Sequence, residues 1–430
     1  MRYPHPIMRC GSAWGALLLA VALLAGCGGS DTAAQNSAMP SPAGGSSIPS
    51  AVAQAQVANT PVDAGIVAAD SVLALNLFNT LNQGAAGNVA ISPTSIALAL
   101  QIAYNGAAGS TQQAMAQTLQ LQNLSLADLN AANAALQASL INPDPQVQLT
   151  LANSLWMHLA GNTVLPAFIQ VNQSYYGAQI GDLAGAPANV NAWVSNETNG
   201  LITDILPGGI NYSEVAAVIV NAIYFKGAWS SPFDSSQTAA APFMRQDGTQ
   251  TSCQMMHQNG SFPYLQGANF QALRLPYGQS GHLSMFIVLP SSGTDFGTFV
   301  AGITADALNT WESGLRTEFG SVALPRFTSS YGASLVPALT SLGMGIAFMR
   351  GQADFSALAP NTYIEDVEHK TVVEVDESGT VATGATSVVV GINAVEAPTF
   401  SMTMDHPFFY AIRDDQTGVL LFIGTLMNPN

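Results

Sequence analysis

The sequence predicts an α+β fold, with helices mainly in the first half of the chain and strands mainly in the second. Apolar residues recur at helical spacing in the early segments, whereas short runs rich in β-branched residues prevail later. The chain has 430 residues, of which 48% are hydrophobic. This is enough for a large core, and length alone would allow two or three domains.

The early helices are predicted from their apolar spacing. Residues 62–83 carry Val, Ile, Leu and Phe at helical intervals. Pro93 follows Ser92 at a first-turn position, where its missing N–H costs little, and residues 94–104 continue as an almost wholly apolar helix that we expect to be buried. Further helices are predicted over residues 110–121, 126–140 and 188–206.

The strands are predicted from alternation and from β-branched runs. Residues 147–156 alternate between apolar and polar side chains, and residues 216–225 are apolar and β-branched, which is typical of a buried central strand. Four more strands are predicted over residues 283–289, 321–327, 371–375 and 419–424. The sequence shows no internal repeat.

The segment from Glu374 to Pro398 is unlike an ordinary core element. It begins like a strand, passes into small residues and ends in an apolar tip. Loops of this length are usually functional or disordered. The small residues at 380, 382, 384 and 386 alternate at period two, so this loop could become a strand with one compact, uncharged face.

Eight short motifs occur in an order that resembles the serpins, and the resemblance spans roughly residues 59–430. The motifs are Asn88-Val-Ala-Ile-Ser-Pro-Thr-Ser-Ile96, Ala152-Asn-Ser-Leu-Trp156, Val190-Asn-Ala-Trp-Val-Ser-Asn-Glu-Thr-Asn-Gly200, Asn221-Ala-Ile-Tyr-Phe-Lys-Gly-Ala-Trp229, Met255-Met256, Leu324-Pro-Arg-Phe327, His369-Lys370 and Asp405-His-Pro-Phe408. Leu201 departs from the Lys that the family usually has there. The resemblance implies one large mixed β-sheet with further sheets, about eight to nine helices and an exposed reactive loop near the C-terminus.

The resemblance also implies a mechanism of inhibition. A protease attacks the loop as a substrate, the cleaved loop inserts into the main sheet, and the acyl-enzyme is trapped. Inhibitory members need a flexible, uncharged hinge. The residues matching that hinge are Glu377, Gly379, Thr380, Val381, Ala382, Thr383, Gly384, Ala385 and Thr386. Because these residues after Glu377 lack Pro and charge, we expect inhibition; a non-inhibitory serpin-fold binding or storage protein is the alternative.

Counting seventeen residues from the hinge Glu, as in the family, places the reactive bond between Asn393 and Ala394. A slip of one to three residues would bring in Val390, Gly391 and Ile392. The sequence has no Lys or Arg between 370 and 413, which disfavours a trypsin-like target. The small apolar context favours an elastase-like or subtilisin-like protease, with legumain-like and papain-like cysteine proteases as alternatives.

Other matched residues are expected to control the sheet. Those that match the family's shutter, a polar cluster beneath the strands that part, are Asn88, Ser92, Ser95, Asn221 and His369. Trp229 matches the breach, where insertion begins, or else is ordinary aromatic core.

Composition limits the partners that we expect. The chain has 10 basic and 26 acidic residues, a net charge of −16, which argues against nucleic acid and against a heparin-type activator. H-E-x-x-H, G-x-S-x-G and P-loop motifs do not occur, and the histidines lack metal spacing, so we expect no enzyme activity, metal or cofactor. We expect a monomer that forms a covalent 1:1 complex with its target protease.

The N-terminus predicts an exported bacterial lipoprotein. Residues 1–26 have a basic start and a short apolar run, and they end in a lipobox-like Leu24-Ala25-Gly26 before Cys27, the predicted lipid-bearing residue. An ordinary secretory signal is the alternative. Residues 27–58 are rich in Gly, Ser, Ala and Pro and read as a flexible tether, followed by the serpin-like domain at 59–430. Only Cys253 then remains as a free thiol, most simply a structural one. We therefore expect a location in the cell envelope, at the outer-membrane surface or in the periplasm, with the membrane contacted only through Cys27.

Overall fold

The computed structural model describes residues 61–141, 143–160, 164–380 and 397–430. Nine α-helices occur in these residues. They are α1 (Ala64–Asn82), α2 (Pro93–Tyr104), α3 (Gly109–Thr118), α4 (Leu126–Leu140), α5 (Pro166–Tyr176), α6 (Ala188–Glu197), α7 (Phe296–Ala301), α8 (Ala305–Gly314) and α9 (Val336–Leu339).

The described residues also form fifteen strands. They are β1 (Val89–Ile91), β2 (Val147–Met157), β3 (Gln179–Asp182), β4 (Ala217–Ala228), β5 (Ala239–Met244), β6 (Gln250–Gln266), β7 (Phe270–Tyr277), β8 (Leu283–Pro290), β9 (Arg316–Pro325), β10 (Phe327–Ser334), β11 (Asp366–Val375), β12 (Gly379–Thr380), β13 (Phe400–Thr403), β14 (Phe408–Asp414) and β15 (Leu420–Leu426).

The strands belong to two sheets. A six-stranded mixed sheet has the order β10-β11-β12-β4-β2-β3, and a nine-stranded sheet has the order β1-β15-β14-β8-β7-β6-β9-β13, with β5 paired to β6. The predicted central strand is β4, whose residues 217–225 are all buried. The α+β class and the large mixed sheet are therefore confirmed.

Helix α2 packs against both sheets, and α1 packs against α2 and the nine-stranded sheet. Asp63 caps α1, with its Oδ1 accepting a hydrogen bond of 3.0 Å from Ile66 N. Helix α1 is long and apolar enough to cross a membrane, but half of it is buried within the fold, as expected of a core helix. Every residue of α2 is buried, as its composition predicts.

Some of the predicted elements are wrong in extent; the strand predicted over 371–375, for example, starts at Asp366. The helix predicted over 188–206 ends at Glu197, because Asn199 and Gly200 have left-handed φ values of 51° and 79°. The strand predicted over 321–327 is interrupted at Arg326, where β9 of one sheet ends and β10 of the other begins. Beyond α6, the chain instead packs loops and a short 3-10 helix against β4 in a second, smaller core cluster.

Candidate functional site

The predicted hinge begins as a strand inside the six-stranded sheet. Gly379 and Thr380 form β12 between β11 and β4, with Thr380 opposite Val375 on one side and Gly227 on the other. Gly379 has a φ of 152°, and a Cβ there would collide with the backbone of Gly227 and Ala228. Only glycine fits this close backbone approach.

Thr380 is buried at the start of this strand. It is 1% exposed, and its hydroxyl lies 2.7 Å from the Tyr277 hydroxyl. The Tyr277 ring stacks on Trp229 at 4.4 Å between centroids. The Trp229 indole donates to the Asp376 carbonyl at 2.9 Å. Trp229 thus lies against the turn that leads into the hinge and contacts it through a hydrogen bond as well as through ring packing.

Glu377 anchors this turn through partners that the sequence did not identify. Its Oε1 accepts hydrogen bonds from Thr238 Oγ1 at 2.6 Å and from Arg326 at 2.5 Å. Burial raises the pKa of this carboxyl, but the Thr238 and Arg326 hydrogen bonds outweigh it and hold the pKa below its usual value. Arg326 is the single residue between β9 of one sheet and β10 of the other. Its hydrogen bond to Glu377 therefore holds the last turn before the loop.

Below the hinge, β11 and β4 pair directly and in parallel. Residues Asp366 to Lys370 lie opposite Val218 to Ala222. Above these pairs, residues 371–374 and 223–226 have no described partner on the side where the two strands face each other. Among the described residues the sheet therefore has a gap of four residues on each of the two strands, here called the slot, and β12 lies directly next to it.

A buried polar cluster spans the directly paired part of these strands. His369 accepts a hydrogen bond from Ser92 N at Nε2 (3.2 Å), and its Nδ1 donates to Asn221 Oδ1 (2.6 Å). The Asn221 amide donates to Ser95 Oγ and, at 2.5 Å, to Asn153 Oδ1. Burial lowers the pKa of His369 to about 3, so the imidazole is neutral with both nitrogens satisfied.

The site is formed by strand pairing and side-chain hydrogen bonds. In the described residues, the two-residue strand β12 lies between β11 and β4, the slot lies next to it, and the polar cluster joins the same two strands where they pair directly. Among the described residues, no group of three His, Cys, Asp or Glu side chains is arranged to hold a metal ion.

Comparison with known proteins identifies the family. The family model described as serpin (serine protease inhibitor) matches residues 68–429. The chain belongs to the serpin family. It is 37% identical to an uncharacterised serpin-like protein of Thermococcus kodakarensis, covering 80% of this chain and 81% of that protein.

Better-described serpins are also similar. Leukocyte elastase inhibitor A of Mus musculus is 33% identical, with 84% of this chain and 98% of the relative covered. The native structure of tengpin, a thermophilic serpin, superimposes with a TM-score of 0.79 at 28% identity, covering 86% of this chain and 95% of tengpin. The serpin fold that the motifs imply is thereby confirmed.

The structure brings together four of the five residues predicted for the serpin shutter, namely Ser92, Ser95, Asn221 and His369. Asn88 lies elsewhere: its side chain bonds to the backbone of Met427 and Asn428 at 2.7 to 3.0 Å and so holds the C-terminus. Its place in the cluster was predicted wrongly, because it precedes β1 whereas Ser92 follows that strand.

Asn153 belongs to this cluster and was missed. The motif that contains it, Ala152-Asn-Ser-Leu-Trp156, was recognised, but nothing in the sequence shows that β2 and β4 place Asn153 opposite Asn221. Ser92 contributes its backbone N–H, and its buried hydroxyl has no hydrogen-bond partner among the described residues.

Several predicted site residues lie outside the described residues. They are the later hinge residues Val381, Ala382, Thr383, Gly384, Ala385 and Thr386, the candidate reactive-bond residues Val390, Gly391, Ile392, Asn393 and Ala394, and Cys27. Their roles stay predictions.

Proposed function

We propose that this serpin is a suicide-substrate inhibitor of serine-type or cysteine endopeptidases, which traps its target by inserting its own loop. The observation that carries the proposal is β12, a small, uncharged hinge already paired between the two strands that would have to separate. A charged or bulky hinge could not occupy this position, since Thr380 is buried against Tyr277.

The pairing of β12 extends to a complete inserted strand. Thr380 lies opposite Val375 and Gly227, so in an antiparallel strand residue 386, six positions on, would lie opposite His369 and Asn221. Residue 389 would reach Asp366 and Val218, where β11 and β4 also face each other in their own register. The register that β12 would set for the whole inserted strand therefore matches the register in which β11 and β4 pair with each other.

In this register the inserted strand would pass through the polar cluster. Even-numbered residues of the inserted strand would point to the same side of the sheet as Thr380. Thr386 would then lie between Asn221 and His369. The hydrogen bond between those two side chains would have to break, and the Thr386 hydroxyl could replace it. The cluster would then hold the sheet closed before cleavage and accept the new strand afterwards.

The free energy for trapping would come from the new strand. Full insertion separates five residue pairs between β11 and β4, but it forms antiparallel ladders on both sides of a strand of about ten residues. The fourteen residues from Thr380 to Asn393 could span about 45 Å. An acyl-linked protease would be carried over this distance before deacylation.

We further propose that the target is elastase-like or subtilisin-like. The reactive bond at Asn393–Ala394, or within three residues upstream, has a small apolar context without Lys or Arg. Similarity to a relative named leukocyte elastase inhibitor A is in keeping with this class.

The test is to mix residues 59–430 with elastase, subtilisin, chymotrypsin, trypsin and a papain-like protease, followed by denaturing electrophoresis. A band at the summed mass that survives boiling would support the trap, and mass spectrometry of the released C-terminal peptide would locate the bond. Clean cleavage without a complex, by every protease, would favour the non-inhibitory binding or storage alternative.

The proposed location is the bacterial envelope, through lipid on Cys27. The lipobox-like segment and the absence of a long apolar span in residues 1–26 support this placement. Metabolic labelling with a radioactive fatty acid should mark the wild-type chain but not Cys27→Ser. Equal labelling of both would reject Cys27 as the lipid site.

A further inference from the structure

Asp144, just before β2, is a buried carboxylate that binds the backbone of two separate segments. Its side chain is only 5% exposed. Its Oδ1 accepts a hydrogen bond from Gln146 N at 2.8 Å, and its Oδ2 accepts hydrogen bonds from Gln279 N at 2.9 Å and Ser280 N at 2.7 Å. Bonds to a charged acceptor are stronger than bonds between neutral groups. Asp144 therefore fastens the turn between β7 and β8 to the segment that leads into β2.

The backbone of this turn lies directly against the carboxylate. Gly278 has a φ of 69°, and a Cβ there would collide with the Asp144 side chain, so the close approach requires glycine. Gly278 N donates to Ala228 O at 2.8 Å, and Ser230 Oγ donates to Gly278 O at 2.6 Å. Ala228 N donates to Gln146 O at 3.2 Å. The end of β4, the turn and the start of β2 are thus joined around one carboxylate.

The segments joined by the carboxylate are the ones against which the hinge packs. Tyr277 immediately precedes the turn and stacks on Trp229, and its hydroxyl lies 2.7 Å from that of Thr380. Ala228, at the end of β4, is opposite Gly379 in the ladder that starts the hinge. Among the described residues the carboxylate has no hydrogen bond to the hinge itself. Its influence on the hinge therefore passes through Tyr277 and the end of β4.

We propose that Asp144 is a positioning residue for the hinge, because its carboxylate holds Tyr277 and the end of β4 where they keep β12 in the sheet. The inference rests on the proposed function, since it assigns Asp144 to the step at which loop insertion begins. Without the carboxylate, three backbone amides lose their acceptor, the turn shifts, and β12 leaves the sheet more often. A cleaved loop would then have to enter the sheet anew, and more inhibitor would be lost as ordinary cleaved product.

The experiment compares the purified full-length protein with its variants Asp144→Ala and Asp144→Asn. The first readout is hydrogen–deuterium exchange of a peptide covering residues 376–380. We expect exchange to rise about tenfold or more in Asp144→Ala, as for the loss of one hydrogen bond to a charged group. The rise should be smaller in Asp144→Asn, which keeps one acceptor oxygen. The second readout is the fluorescence of Trp229, which should change in both variants because this indole stacks on Tyr277.

Asp414→Ala and Asp414→Asn are the matched controls. Asp414 is 6% exposed, and its carboxylate accepts hydrogen bonds from Gln416 N at 2.9 Å and from Thr417 Oγ1 at 2.7 Å, in the turn between β14 and β15. Its loss should lower the melting temperature as the loss of Asp144 does. Exchange of residues 376–380 and the fluorescence of Trp229 should nevertheless stay at the wild-type level. A carboxylate that merely stabilises its own turn would give the same result at position 144.

The outcomes separate this inference from the proposed function. Wild-type exchange of residues 376–380 and wild-type fluorescence in folded Asp144→Asn would overturn the positioning role, whether or not the protein traps proteases; this variant also decides the matter if Asp144→Ala does not fold. Where the wild type forms a boiling-stable complex, the variants should raise the number of inhibitor molecules cleaved per protease trapped severalfold, at an unchanged rate of loop cleavage. A hinge released in the variants of a protein that forms no such complex would support the positioning role and reject the trap.

Discussion

The substitution Thr380→Arg tests the proposed mechanism at the residue where insertion begins. Thr380 is 1% exposed and bonded to Tyr277, which is itself fully buried, so a guanidinium there would be an unpaired buried charge. Such a charge costs several kcal/mol. The present β12 is only two residues long, and losing its hydrogen bonds costs about 0.5–1.5 kcal/mol each. We therefore expect the variant to release the hinge from the sheet rather than to unfold.

Insertion would then have to bury the charge during the race with deacylation. If about half of roughly 3 kcal/mol is felt in the insertion barrier, insertion slows about tenfold, because 1.4 kcal/mol corresponds to a factor of ten. The measured quantity is the number of inhibitor molecules cleaved per protease molecule trapped. We expect it to rise about tenfold or more for Thr380→Arg, with free cleaved inhibitor accumulating on the gel.

Thr380→Val is the matched control, since it keeps the shape and neutrality of threonine and removes only the hydrogen bond to Tyr277. It should trap nearly as well as the wild type, at a stability cost of about 1 kcal/mol. Fluorescence of Trp229, which stacks on Tyr277, should report the released hinge in the Arg variant alone. If Thr380→Arg traps with wild-type stoichiometry, insertion of this segment is not the mechanism.

Three further predictions concern stability. Glu377→Gln should lower the melting temperature at pH 7 by removing the charge that Arg326 binds; since the pKa of Glu377 is lowered, the difference should begin to shrink below about pH 4.5 and disappear as the pH falls through the lowered pKa, and a difference that is as large in strong acid as at pH 7 would contradict this account. Asp70→Asn should stabilise the protein increasingly from pH 4 to pH 8, by up to about 1.4 kcal/mol per pH unit, because burial raises the pKa of Asp70 to about 8; equal urea midpoints for both proteins at pH 7.5 would refute it. Asn221→Ala should cost about 2–3 kcal/mol in urea unfolding, since it leaves the His369 Nδ1–H and other buried groups unpaired; a loss below about 1 kcal/mol would mean that the cluster is weakly coupled.

The helices and the buried central strand were predictable because their signals are local. Each signal lies within the element that it predicts. These signals are the apolar spacing in 62–83, the Ser92-Pro93 start of α2 and the β-branched run in β4. The helix predicted over 188–206 is longer than α6 because apolar residues continue after Gly200. These residues belong to a loop that packs on β4. The run around Cys253 looks like a strand in the sequence, but the full length of β6 was not predicted because its seventeen residues are largely polar and many of them are exposed.

The site residues were found by motif, and their partners were not. Glu377 was recognised as the hinge acid, but its partner Arg326 is 51 residues earlier in the chain. Asn88 was predicted in the polar cluster and lies outside it, whereas Asn153 lies in the cluster and was not predicted. In both cases the reason is that a motif gives no distance between side chains.

The sequence by itself determined that the chain is an α+β serpin-like protein with a small, uncharged hinge, because composition, periodicity and motif order are properties of the chain read in one dimension. Only the tertiary structure decided that Gly379 and Thr380 lie in the sheet, that β11 and β4 have a four-residue slot next to them within the described part of the chain, and that His369 and Asn221 are hydrogen-bonded across these two strands. The physical reason is that insertion depends on which strands are neighbours and in what register, and these pairings join residues about 150 positions apart.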